Sequence, residues 1–158
     1  MDPTYPAGTH LYGAPISTSL ERGDVVLLDD GKQDYAVKRI IGLPGETVQL
    51  WRGHVFVNRE LLVEPYLPRR TYTYPAEPAR RGATYMLGGD QYFVLGDNRL
   101  CSADSRTYGP VGRNRIKRRV PLPEDFICAY SAPYTLPDYG KSLIRPLLPH
   151  PAGATSRL

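Results

Sequence analysis

The sequence is poor in the residues that mark several common chemistries. Its two cysteines, Cys101 and Cys128, lack the CxxC or Cys/His spacing of a metal site, and a chain of 158 residues needs no disulfide staple. Three histidines, His10, His54 and His150, stand in no His/Asp or ligand spacing and read as surface or packing residues. Apolar runs are short, residues 25–28 among them, where a membrane-spanning helix needs about 20 apolar residues. There is no internal repeat, no convincing amphipathic helical period, and no basic stretch leading into an apolar one as in a signal peptide. These absences exclude a helical bundle, a repeat array and a metal centre. The net charge of +4 suits an anionic surface without demanding nucleic acid.

What is present is the punctuation of a β protein. Sixteen prolines and 15 glycines are scattered along the chain and cut it into short apolar segments. Residues 24–28, 35–41, 47–51, 54–58 and 91–95, rich in Val, Ile, Tyr and Phe, read as strands. In Leu43-Pro44-Gly45-Glu46, Pro suits the second and Gly the third position of a type II turn. Trp51-Arg52-Gly53-His54 supplies the next reversal, so residues 47–58 read as a hairpin. The expected architecture is mostly β, a single antiparallel or barrel-like core over residues 1–130, with a small β extension at 52–90. Five prolines between residues 131 and 158 mark a loose tail.

Two segments carry polar residues that chemistry could use. In residues 35–41 side chains alternate, which puts Lys38 between Ala36 and Ile40 on one face and Arg39 between Val37 and Ile41 on the other. Burial of the first face lowers the lysine pKa from about 10.4 towards the range of a general base. A strand lysine whose stem packs and whose head reaches water fits the same pattern. The second segment, residues 96–106, breaks out of an apolar strand at Gly96 into a loop dense in hydrogen-bonding groups. There Asp97 and Asn98 can close a turn, and Asp104 can pair with Arg106, which leaves Ser102 free. A polar surface turn with a weak salt bridge is the plainer account.

Five segments, in order over residues 1 to about 118, resemble the bacterial type I signal peptidases, the membrane-bound serine–lysine dyad peptidases. Met1-Asp2-Pro3-Thr4 looks like the end of their Ser-Met-x-Pro-Thr motif, and Arg22-Gly23-Asp24-Val25-Val26 like their Arg-Gly-Asp-Val-Val strand. Residues 38–46 are similar to the segment that carries their general-base lysine, and Val57-Asn58 to Glu64-Pro65-Tyr66-Leu67 to the stretch that follows. Gly96-Asp97-Asn98-Arg99 with Ser102, Asp104, Ser105 and Arg106 resembles their last box.

The resemblance implies a serine endopeptidase that removes signal peptides from exported proteins at the outer face of the cytoplasmic membrane, after small residues one and three before the bond. It implies Lys38 as general base, Ser102 as the residue positioning it, and Asp104, Arg106, Asp97 and Asn98 as supporting residues. Substrate would lie against Met1, Pro3, Tyr35, Ala36 and Val37, adding to the strand edge near Tyr35. The implied partners are signal peptides and the membrane surface, with no cofactor and no nucleic acid. The nucleophilic serine would immediately precede Met1, so the 158 residues as written are expected to be inactive, and an internal methionine of a longer protein is the favoured account of that start. Ser17, Ser19, Ser105 and Thr4 match no nucleophile position and read as turn or surface hydroxyls. Two other readings stand beside this one. The first is a non-cutting peptide-binding homologue of the same fold. The second takes residues 113–119, five cations in seven, as a basic strand face for anionic lipid or nucleic acid, or else as a solvated edge strand.

Overall fold

The computed structural model describes residues 1–29, 31, 34–77 and 82–122. Cys128, His150, the proline-rich tail and the end of the expected core at 123–130 lie outside the described residues. The described elements are almost all strand: β1 (Val25–Asp29), β2 (Tyr35–Gly42), β3 (Thr47–Trp51), β4 (His54–Val57), β5 (Glu60–Leu61), β6 (Gly82–Met86), β7 (Gln91–Leu95), β8 (Val111–Gly112) and β9 (Ile116–Val120). One turn of helix, α1 (Ser105–Tyr108), and a 3-10 turn (Arg113–Arg115) complete them.

The strands make two antiparallel sheets. One has the order β8-β7-β2-β1-β9 and the other β5-β4-β3-β6. The second sheet is built from residues 47–61 and 82–86, and so takes in β3 as well as residues beyond 52. Both turns read from the sequence form. Glu46 N donates to the Leu43 carbonyl at 3.1 Å, with Gly45 at the positive φ of 79° that a type II turn requires. Arg52 and Gly53 both have positive φ, 49° and 83°, the type I′ geometry whose twist matches a two-residue hairpin.

The middle of the first sheet, β7 with the end of β2, is buried on both faces, which is why β7 reads as a continuous apolar run rather than an alternating one. Ile41, Phe93 and Leu95 pack with Val48, Leu50, Val55 and Val57 of the second sheet. On the other side Val26, Leu28, Ile40, Tyr92 and Val94 form a second cluster with Val111 and Ile116. Two strands depart from the sequence expectation. β6 pairs along its whole length with β3, although none of its residues is fully buried and they offer no apolar run to read. In the basic segment the strand begins only at Ile116, because Arg113–Arg115 wind into the 3-10 turn, so the cations of 113–119 do not share one strand face.

Candidate active site

Lys38 sits where β2 changes neighbours. The β1 pairing covers the whole stretch from Tyr35 to Arg39, whereas β7 pairs only from Arg39 onward, at Leu95, Val94 and Phe93. Residues 35–38 therefore have a strand on one side only among the described residues. A cleft of about 530 Å³ opens there between β2 and the loop after β7. Ala36, Val37 and Lys38 line it from the strand, Gly96, Ser102 and Ala103 from the loop, and Met1 closes it. Pro3 and Tyr35 are exposed and do not line it.

The lysine is half-buried and donates to the Val37 carbonyl at 3.1 Å. Burial of the ammonium pulls its pKa below the ordinary lysine value, and the nearby Asp104 carboxylate opposes the shift. Across the cleft, the Ser102 hydroxyl is buried without a hydrogen-bond partner. The hydrogen bond expected between Ser102 and Lys38 is thus not made in this structure, although the two side chains share the cleft.

The loop that carries Ser102 is held by its own acids. Asn98 closes its first turn: its carbonyl accepts from Ser102 N at 3.1 Å, and its side-chain oxygen from Cys101 N at 3.3 Å. Asp104, fully buried, accepts from Gly96 N at 3.0 Å and caps α1 by accepting from Arg106 N at 3.2 Å. Its two oxygens also take a forked pair of bonds from Arg106, at 2.8 and 2.9 Å. Arg106 in turn donates to the Arg99 and Ser102 carbonyls. Ser105 is buried and accepts from Val94 N at 2.9 Å, tying the helix to β7. The expected Asp104–Arg106 pair is therefore present, and it holds the loop's backbone at three points.

Asp97 faces away from the cleft into a buried cluster that sequence reasoning did not assemble. Arg39 donates to it from Nε at 2.9 Å and Nη2 at 2.6 Å, and the Thr4 hydroxyl donates to the same carboxylate. The Arg39 guanidinium lies over the Tyr66 ring, 4.0 Å from its centre. A second buried pair, Arg99 with Glu64, adds Thr73. The Arg39 signal was available: the alternation that puts Lys38 between apolar neighbours puts Arg39 between Val37 and Ile41. Its partner 58 residues away was not. With Thr4 bonded to Asp97 and Ser105 to Val94, neither hydroxyl is free in the cleft.

Comparison with known proteins decides the family. Residues 1–123 match the family described as signal peptidase, peptidase S26. The chain belongs to the signal peptidase I family.

It is similar to signal peptidase I P of Bacillus subtilis subsp. natto, 36% identical over 118 residues that make up 67% of this chain and 61% of the relative. It also resembles a probable signal peptidase I-2 of Synechocystis sp., 36% identical over 129 residues, 75% of this chain and 56% of that one. The chain thus spans a little over half the length of these two relatives. The crystal structure of a signal peptidase I from Enterococcus faecalis V583 superposes with a TM-score of 0.53 at 27% identity, covering 66% of this chain and 98% of that one. The mostly β, antiparallel architecture that was expected is the one found, laid out as two sheets. Among the described residues no helix is long and apolar enough to cross a membrane, and no group of His, Cys, Asp or Glu could hold a metal ion.

Proposed function

We propose that these residues form the catalytic core of a serine endopeptidase of the signal peptidase I type, acting on signal peptides of exported proteins at the outer face of the cytoplasmic membrane. The observation that carries the reading is a half-buried lysine and an unpartnered buried serine hydroxyl lining one cleft, along a strand edge that is unpaired among the described residues. An extended peptide adds to β2 along residues 35–38, main chain to main chain. The serine that the family motif sets immediately before Met1 attacks the scissile carbonyl, and neutral Lys38 takes its proton. Ser102 orients the amine, while Asp104 and Arg106 hold Ser102 through the loop backbone. Backbone N–H groups stabilise the oxyanion. The cleft walls Ala36, Val37 and Met1 are apolar and suit the small residues such a peptide presents.

In this reading catalysis depends on that serine, while peptide binding does not. A version carrying the upstream serine cleaves a precursor with small residues one and three before the bond. In that version Lys38→Ala abolishes cleavage, and Lys38→Arg does too, because a guanidinium is not deprotonated in proteins. Product is followed by mass. Substantial turnover in either variant refutes the dyad, and correct-site cleavage by the 158 residues alone refutes their dependence on the upstream serine.

A further inference from the structure

The cleft holds a second cation that the proposed chemistry does not use. Arg115, at the end of the 3-10 turn, lines it together with Leu28 and Tyr108, and no Asp or Glu is among its lining residues. The guanidinium is fixed rather than floating: Nε and Nη2 donate to the Asp29 carbonyl at 3.0 and 2.7 Å. The Tyr108 ring lies beside it, with its centre 5.8 Å away. Among the described residues Nη1 has no hydrogen-bond acceptor. The described carboxylate that senses Arg115 is that of Asp29, which stands 3.6 Å from Lys117. Arg115 therefore presents a positioned donor and an incompletely balanced charge towards the cleft.

The strand register says where along a bound peptide that donor acts. Lys38 lies opposite Val26, Ala36 opposite Leu28 and Tyr35 opposite Asp29, whose carbonyl Arg115 holds. At about 3.3 Å per residue, the level of Asp29 is roughly 10 Å, or three residues, from that of Lys38. An extended peptide added to β2 with its scissile bond at Lys38 brings a residue three or four positions from that bond to Arg115. We infer that Arg115, flanked by Tyr108, is a specificity-determining residue that selects an acidic side chain at the fourth position before the scissile bond, or at the third or fourth after it, and rejects a basic one. The inference rests on the peptide-binding reading of the cleft and adds a charge preference to it.

The test needs binding only, so the 158-residue chain serves. Fluorescently labelled extended peptides, with small residues one and three before the bond, carry Asp, Asn or Lys at the fourth position before the bond or at the third or fourth after it. Affinities are read by anisotropy at low and high ionic strength. At one position the Asp peptide binds roughly five- to tenfold more tightly than the Lys peptide, and salt erodes the difference. Arg115→Gln brings that ratio towards one, and Arg115→Glu inverts it. Thermal melting checks the fold of both variants, and the Gln variant carries the test where the Glu variant does not fold. A neutral peptide that binds while no position shows an Asp preference, or a preference unchanged in either folded variant, overturns the subsite alone. Failure of every peptide to bind, the neutral one included, overturns the groove and the subsite together.

Discussion

Arg39 and Asp97 meet in complete burial, guanidinium nitrogen 2.6 Å from carboxylate oxygen, with neither side chain exposed to solvent. One follows Lys38 in the chain and the other follows Gly96, so the pair bolts the strand of the lysine to the loop of the serine from behind the cleft. Each charge has lost its water and depends on the other. Removing one partner strands a buried charge, which costs on the order of 3–5 kcal/mol, whereas replacing both with apolar groups is often neutral. Asp97→Ala should therefore lower the unfolding free energy in urea by that amount, and the double variant Arg39→Met, Asp97→Leu should recover most of it. A loss below about 1 kcal/mol for the single variant would contradict this account of the pair.

Lys38 gives stability a pH dependence of defined sign. Its folded pKa is lowered from the ordinary lysine value. Between the two values the unfolded chain keeps a proton that the folded chain has released, so stability rises with pH through that window and the charged amine destabilises the fold below it. Lys38→Met removes the effect. The difference in unfolding free energy between wild type and variant should move in favour of wild type as pH rises towards about 10.4, where the unfolded lysine titrates. A difference independent of pH argues that the amine is fully solvated.

Asp104 opposes the lowered lysine pKa, and so Asp104→Asn should lower it further. The substitution removes the carboxylate and also frees the Arg106 guanidinium paired to it at 2.8 Å, and both changes disfavour a nearby ammonium. In the version bearing the upstream serine, the alkaline rise of kcat/KM should shift to lower pH even as the maximum falls. An apparent pKa that stays put separates Asp104 from the lysine and leaves it a purely structural loop residue.

Gly96 has no room for a methyl group. A Cβ there would stand 2.1 Å from the Ser102 hydroxyl oxygen and 2.6 Å from its Cβ, so the serine must move. Gly96→Ala should cost about 1–3 kcal/mol by overpacking. Ser102→Ala, which deletes a hydroxyl with no partner, should leave stability within about 0.5 kcal/mol of wild type while impairing turnover in the serine-bearing version. Paired urea curves and rates separate the two. Ser102→Ala with full turnover removes Ser102 from the site.

Much of this was legible in the residues, for reasons that also explain what was not. β2, β3, β4 and β7 were found to within a residue at each end because both sheets press apolar side chains into a shared core, and that leaves an apolar signature. β6 leaves none: Met86 is 82% exposed, and pairing to β3 is what makes it a strand. β9 sits at a sheet edge where cations replace the apolar pattern. In the site, Lys38 and the Asp104–Arg106 pair could be read because their neighbours are close in the chain. The Arg39–Asp97 and Arg99–Glu64 pairs join residues 58 and 35 apart, and only the fold brings them together.

β7 is a wall shared by two rooms: Phe93 and Leu95 face the second sheet, Tyr92 and Val94 the opposite cluster. A chain trimmed to the five-stranded sheet is therefore not a smaller working unit. Cutting out residues 47–86 would bare Ile41, Phe93 and Leu95, take the Tyr66 ring from Arg39, and leave Arg99 without Glu64. Nor is there length to spare at the exposed Asn58-Arg59 turn between β4 and β5, since Asn58 N donates to the Thr47 carbonyl at 2.8 Å and its side-chain oxygen accepts from Thr47 N at 3.0 Å.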